Sequence, residues 1–393
     1  MAFLRNSAVN RINFHYGIHA LAQGAGGIFF LVFLLHAGLP VPQSLLTVTA
    51  ILVGRFVVRL AVLPFAKRWG LKPMVIFGST VVALQYPVLA EVHGIGPALV
   101  LLCIISSVGD AFYWPAYHAY FAALGDNEHR GHQISAREAL ASVIGIVAPL
   151  LGSWALVTLG PRTAFAAVGA VQALSVLPLF GAPAVAIKQS APGALRAARL
   201  GIILFVADGW LAATFFFVWN IALFLSLGKS FSAYGGAMAL SALVGAICGM
   251  LLGRHIDAGH GVRAVVIAYT VAAAVILLRA ASFGSPWLAV FANALGAVVV
   301  CLIVPAEMTA VYNLAKLSPC PLRFHIATDA GWDAGCAAMC LVAAALAAAG
   351  FSLSIAILLG LPGIFATALL LRRYYAQNVV DIEPIAIPEV PIA

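Results

Sequence analysis

Residues 286–315 read PWLAVFANALGAVVVCLIVPAEMTAVYNLA, and Glu307 is the single formally charged side chain in the stretch. At 1.5 Å per residue a helix of this length extends about 45 Å, longer than the roughly 30 Å hydrocarbon layer of a bilayer. A helix that is apolar on every side buries itself in lipid or in other helices, so the stretch predicts a membrane span. The pattern recurs along the chain. Apolar runs bounded by Gly, Pro and charge predict spans at 14–36, 44–66, 73–91, 97–124, 133–159, 162–185, 201–227, 231–253, 263–283, 286–315, 323–350 and 352–372. The breaks at 124–133 and 315–323 rest on Asp126, Glu128 and Arg130, and on Lys316, Pro319, Pro321 and Arg323.

With 63% hydrophobic and 9% charged residues in 393 positions, the chain carries more apolar side chain than one soluble core can bury. The expected fold class is an all-α membrane protein of about twelve transmembrane helices in two six-helix halves around a central cavity. The net charge of +8 does not point to nucleic acid, because Lys and Arg stand in ones to threes between apolar runs. Sorted by alternate loops, fifteen of them fall on one side, from Arg5 and Arg11 through Lys188 to Arg373, and only Arg162, Lys229 and Arg279 on the other. That excess predicts a bacterial inner membrane protein with both termini cytoplasmic. The stretch Met1–Arg11 lacks the apolar run and cleavage site of a signal peptide, so the first span is expected to stay. The six cysteines lack metal-ligand spacing and read as small core residues.

A longer, more polar connection holds Lys188, Pro192, Gly193, Arg196 and Arg199. It divides the chain into an N-terminal half (1–187), a linker (188–200), a C-terminal half (201–375) and a tail (376–393) that reads as disordered. Weak internal similarity agrees. Pro115-Ala116 resembles Pro305-Ala306, and Gln133-Ile134-Ser135-Ala136 resembles His325-Ile326-Ala327-Thr328.

The loops after the second and eighth spans carry a further repetition. The later one, Gly253-Arg254-His255-Ile256-Asp257-Ala258-Gly259-His260-Gly261-Val262-Arg263, has a Gly, three residues, an Asp, then Gly and basic residues, with the later Gly one position late. The earlier one, Lys67-Arg68-Trp69-Gly70-Leu71-Lys72, keeps the basic residues and Gly but has Lys67 where an Asp would stand. In these motifs the sequence resembles the major facilitator superfamily. The resemblance implies a transporter working by alternating access, with spans one, four, seven and ten along the central path. An Asp at this position can latch the two halves on the cytoplasmic side.

Ionisable residues at membrane depth are costly and usually face the bundle interior, which makes each a candidate. His15, His19 and Gln23 share one face of the first span; Asp110, Trp114, Tyr117 and Phe121 share one face of the fourth; Asp208, Phe215 and Trp219 form a similar stripe on the seventh. With Arg55, Tyr113 and Glu307 these are the expected substrate or proton pathway. Arg59, Arg137, Glu138, Asp257, Asp329 and Asp333 form the expected cytoplasmic gate. His15 and His19 read either as proton carriers or as interfacial histidines. Asp110 needs a proton or a cation such as Arg55 or a substrate amine. Tyr113, Trp114, Tyr117, Phe215 and Trp219 read either as an aromatic wall or as packing.

The expected activity is secondary active transport of a small solute, coupled to protons, by a monomer in the lipid bilayer without cofactor, metal or nucleic acid. The solute class stays open among zwitterions, organic anions and cationic drugs. A receptor or assembly factor on the same fold is the alternative. A membrane-embedded enzyme lacks support, since the sequence has no His-Glu-x-x-His or Gly-x-Ser-x-Gly pattern.

Overall fold

The computed structural model describes residues 6–124, 130–187, 189–256 and 261–380, with the side chains of all but 122, 130–140, 252–256 and 378–380. Twelve helices are long and apolar enough to cross a membrane. The first half comprises α1 (Ser7–His36), α2 (Val41–Trp69), α3 (Leu71–Ala90), α4 (Pro97–Leu124), α5 (Arg130–Thr158) and α6 (Pro161–Phe180). The second comprises α7 (Arg199–Ser226), α8 (Phe231–Ile256), α9 (Gly261–Ser282), α10 (Pro286–Leu317), α11 (Pro321–Ala348) and α12, in two pieces, Leu353–Leu358 and Gly360–Val380. Every described element is helical. In lipid the backbone must satisfy its own polar groups, which leaves the helix as the available element. Pro97, Pro161, Pro286 and Pro321 each open a helix, where a missing N–H costs nothing. Leu60, Trp287, Met250 and Phe365 stand 70–85% exposed, as lipid-facing side chains do.

The helices match the spans read from the sequence apart from their ends. Helix α1 begins seven residues before position 14, because Asn6 caps it by accepting from Val9 N at 3.1 Å. Helix α6 stops short of 185: it is interrupted after Leu174, ends at Phe180, and leads into non-helical chain. Helix α12 runs on to Val380, past the expected boundary at 375. Arg279 belongs to α9, not to a loop, and is 3% exposed. Pro115 and Pro305, paired by the internal similarity, occupy α4 and α10, the fourth helix of each half.

Because twelve crossings alternate, the described chain starts and ends on one side of the bundle, which also carries the 181–198 connection. On that side the Gly70 turn (φ 78°) lets Leu71 N donate to Val185 O at 3.0 Å. Lys72 Nζ donates to Phe180 O and Ala182 O, both at 2.8 Å. Gln189 Nε2 donates to Lys67 O at 3.3 Å and Arg323 Nη2 to Gln189 O at 2.9 Å, so the connection is tied to both halves.

The halves meet along α2 with α11 and α5 with α8. Within the second half α7 and α11 pack closely over small residues. A Cβ at Gly209 would run into the Trp332 carbonyl, and one at Gly335 into the Val206 carbonyl. Gly331 and Gly335 form a Gly-x-x-x-Gly face, the arrangement that lets membrane helices approach backbone to backbone. Gly335→Leu is expected to destabilise the fold by about 3 kcal/mol, since backbone cannot yield as a side chain can. The lipid-exposed Ala334→Leu should be tolerated. Thermal unfolding of the two variants side by side checks this.

Candidate functional site

The charged residues of α2, α4 and α11 converge. Arg59 Nε lies 2.6 Å from Asp333 Oδ2 and Arg59 Nη1 lies 3.2 Å from Asp329 Oδ2. One turn further toward the middle, Arg55 Nη2 lies 3.1 Å from Asp333 Oδ1 and Arg55 Nη1 lies 3.4 Å from Asp110 Oδ2. The four-residue spacings 55/59 and 329/333 place each pair on one helix face, so two guanidinium groups of the first half stack against two carboxylates of the second. Arg59 and Asp333 are 2% and 0% exposed. Asp110, Asp329 and Arg55 keep 22%, 14% and 13% of their side-chain surface accessible, so each borders space that a water molecule can reach. Trp114 stands one helical turn from Asp110 on the same face of α4, and the Arg55 guanidinium lies 5.7 Å from the Trp332 ring centroid. Residues expected on the pathway (Arg55, Asp110) and at the gate (Arg59, Asp329, Asp333) thus form one network. Further out, the His118 and His325 rings of α4 and α11 lie 5.8 Å apart.

His15 and His19 are buried among the helices of the first half. His15 Nδ1 is 2.7 Å from Ser175 O, a carbonyl that only accepts, so this nitrogen carries the hydrogen. His15 Nε2 is then the acceptor for Tyr113 OH at 3.1 Å. His19 Nδ1 is 3.0 Å from Gln172 Oε1, while Gln172 Nε2 points to Ser79 O at 3.5 Å. The Ser79 carbonyl thereby fixes the amide orientation and makes His19 Nδ1 a donor. The ring of His19 stacks on Tyr113 at 4.5 Å and meets Trp114 edge-on at 5.6 Å. Tyr113 and Tyr117 stack at 5.6 Å. Gln23 is half-buried and its side-chain oxygen covers Gly27 of its own helix.

The stripe expected on α7 is broken. A π-helical turn at Ala213–Val218 inserts extra residues per turn and rotates the rest of the helix relative to Asp208. Asp208 Oδ2 accepts from Trp332 Nε1 at 3.1 Å, and its carboxyl neighbours that of Glu307, which is 3% exposed. Phe215 and Trp219 face Arg279 instead, whose guanidinium carbon lies 3.8 Å and 4.6 Å from their ring centroids. Arg279 Nη1 donates to Phe215 O at 2.8 Å, satisfying a carbonyl of the π turn. Trp219 Nε1 donates to Asn293 Oδ1 at 3.0 Å and Asn293 Nδ2 to Ala237 O at 3.0 Å. The five aromatics therefore belong to two clusters, one in each half. Asn293→Leu strips both polar partners from a buried indole and a buried carbonyl, and is expected to cost about 2 kcal/mol. Denaturant or thermal unfolding measures it.

Arg137 and Glu138 lie on α5 and Asp257 comes after α8, all outside the described side chains. Sequence reading missed Trp332, Gln172, Asn293 and Arg279. On the opposite side of the bundle the halves touch through apolar groups: Phe29 and Phe231 at 6.2 Å, His36 and Phe231 at 5.0 Å, and Tyr234 OH donating to Ile28 O at 3.2 Å. No metal-binding group of His, Cys, Asp and Glu occurs among the described residues.

The family model of the Major Facilitator Superfamily matches residues 14–318. Among curated proteins no sequence matches. Several solved structures share the fold. An auto-inhibited POT family peptide transporter aligns with TM-score 0.62 at 13% identity, covering 98% of this chain and 99% of that one. The transporter FucP in its outward conformation aligns at 0.66 and 15% identity, with coverages of 94% and 99%. The E. coli fucose:proton symporter FucP aligns at 0.66 and 16%, with coverages of 93% and 98%. At such identities the likeness speaks for architecture alone. With its twelve spans, its two packed halves and a family model that matches most of its length, this chain belongs to the Major Facilitator Superfamily and is a multi-pass membrane transporter.

Proposed function

We propose that the protein is a secondary active transporter that moves a small solute across the bacterial inner membrane by alternating access, coupled to protons, with both termini cytoplasmic. The observation that carries this reading is the ion-pair network between Arg55 and Arg59 of the first half and Asp329 and Asp333 of the second. It ties the halves together on the side of the termini by directional contacts, while apolar and single hydrogen-bond contacts close the other side. Two closures of different chemistry around one internal space are what a rocking bundle requires, because each can break while the other forms. In this reading 1–187 and 201–375 are the rocking halves, 188–200 is their connection, and Arg59, Asp329 and Asp333 form the cytoplasmic gate together with Arg137, Glu138 and Asp257. His15, His19, Gln23, Arg55, Asp110, Tyr113, Trp114, Tyr117, Asp208, Phe215, Trp219 and Glu307 serve the solute and proton pathway.

Proton coupling is supported by the Asp208–Glu307 contact. Two carboxyl groups side by side repel when both are ionised, so the pair is suited to hold and release a proton. The structural neighbour described as a fucose:proton symporter is compatible with it.

The test uses two spin-label pairs, Arg68 with Leu317 on the termini side and Ile95 with Ser285 on the other, all at exposed positions. Alternating access predicts distance distributions that move in opposite directions when Arg59→Ala loosens the network. A receptor on the same fold predicts that the pairs stay fixed.

A further inference from the structure

Among the described residues the charges of the network on α2, α4 and α11 do not balance. They are two guanidinium groups, Arg55 and Arg59, and three carboxyl groups, Asp110, Asp329 and Asp333. The neighbouring Asp208–Glu307 pair adds no cation to it. A site in low dielectric disfavours an uncompensated charge, so the surplus carboxyl takes up either a proton or a cation that displaces it. The contacts show where. Three of the four ion-pair distances are 3.2 Å or shorter, and the remaining one, Arg55 to Asp110, is 3.4 Å. Asp110 is also the most accessible member at 22%. A second group lacks a donor: Asp333 Oδ1, fully buried, faces Arg55 at 3.1 Å in a geometry that makes no hydrogen bond.

We infer, building on the transporter reading, that the space these groups border takes a monocationic solute whose ammonium or related group binds Asp110 beside Trp114. Trp114 follows Asp110 by one helical turn on the same face of α4, and its ring stands edge-on to Tyr113 and Tyr117 at the end of their cluster. A carboxylate flanked by indole is a recognised setting for organic cations, which gain from both charge and the ring quadrupole. A cation drawn to Asp110 competes with Arg55 for it and frees Arg55 to turn fully to Asp333. Solute binding thereby tightens the α2–α11 contact. Charge count also separates the solute classes. A zwitterion or a neutral solute leaves the surplus carboxyl to a proton, and an anion adds to the surplus.

The probes are phenethylammonium, benzyltrimethylammonium and tetraphenylphosphonium, with benzyl alcohol and benzoate as neutral and anionic counterparts, read by thermal stabilisation of the purified full chain. The expected result is stabilisation by one or more of the cations and by neither counterpart, with affinity lowered at least tenfold in Asp110→Asn and retained in Asp110→Glu. Stabilisation by benzoate or benzyl alcohol without the cations overturns the assignment and leaves the transporter reading intact, because that reading is tested separately by the paired distances. No response to any probe, a response to acid alone, or a cation response undiminished in Asp110→Asn each overturns it too. If Asp110→Asn does not fold, the comparison of charge classes on the unaltered chain together with Asp110→Glu still decides.

Discussion

Replacing Arg59 by alanine is expected to produce the largest loss of transport of any single substitution in the protein, together with a population that opens on the side of the termini. Arg59 is 2% exposed and holds Asp333 at 2.6 Å and Asp329 at 3.2 Å, both on the opposite half. Its removal leaves Asp329 without an ion-pair partner among the described residues and Asp333 with Arg55 alone. Taking one partner from a buried pair costs about 3–5 kcal/mol, because the remaining charge stays desolvated. The cost falls on the state in which the halves are closed, since only there is the contact made. A shift of about 4 kcal/mol would turn a closed-to-open ratio of 30:1 into roughly 1:30. Transport should fall at least tenfold, and the Arg68–Leu317 label pair should lengthen. The exchange Arg59→Asp with Asp333→Arg restores the attraction across α2 and α11 and should recover part of the closed population. If the double variant does no better than the single one, the contact is architectural and does not gate.

The twelve spans were legible because lipid imposes a plain rule: about twenty apolar residues per crossing and charge at the ends. What the rule leaves open is the pairing of side chains across helices. Arg59 and Asp333 are 274 positions apart, and nothing in either local sequence names the other. Their four-residue spacings, 55/59 and 329/333, were visible, and so was the depth of each. Spacing gives a face but not its neighbour. The same limit explains the histidines. His15 and His19 near the start of a span read equally well as interfacial, and the buried partners Ser175, Tyr113 and Gln172 sit on other helices.

Two misreadings have local causes. Arg279 stands four positions before the Phe283-Gly284-Ser285 turn, and a charge so near an apolar run's end looks like a loop residue. A guanidinium can stay inside when aromatic faces and a free carbonyl receive it, and Phe215 and Trp219 supply both. The stripe 208/215/219 assumed a uniform 3.6-residue period. The π turn at Ala213–Val218 breaks that period, and its signal in the sequence, the β-branched and aromatic run Thr214-Phe215-Phe216-Phe217-Val218, is too common to announce it. Trp332 lay beside Asp333 in plain view. Only the fold shows its indole reaching Asp208 while its ring meets Arg55, which places one side chain between the carboxyl pair and the ion-pair network.

That placement sets up the second large effect. Glu307→Gln puts a neutral amide beside Asp208 in place of a carboxyl that can take and release a proton. The pair keeps its volume and loses one of its two titratable groups. Solute exchange down its gradient should therefore continue at a rate within about threefold of the unaltered protein, because the side-chain volume is kept. Accumulation against a gradient should disappear. One proton moving down one pH unit supplies about 1.4 kcal/mol, enough for about a tenfold concentration difference of a monocation exchanged one for one against it, since that exchange moves no net charge. The variant should hold an inside-to-outside ratio near that of a passive carrier in vesicles with an imposed pH difference, compared with the unaltered chain in the same vesicles. Trp332→Phe offers the companion test. It keeps the ring beside Arg55 and removes the N–H from Asp208, so it should weaken the dependence of transport on the pH difference without abolishing exchange. Equal accumulation by Glu307→Gln and the unaltered chain would remove this pair from the proton path and leave the ion-pair network as the remaining place for the coupling.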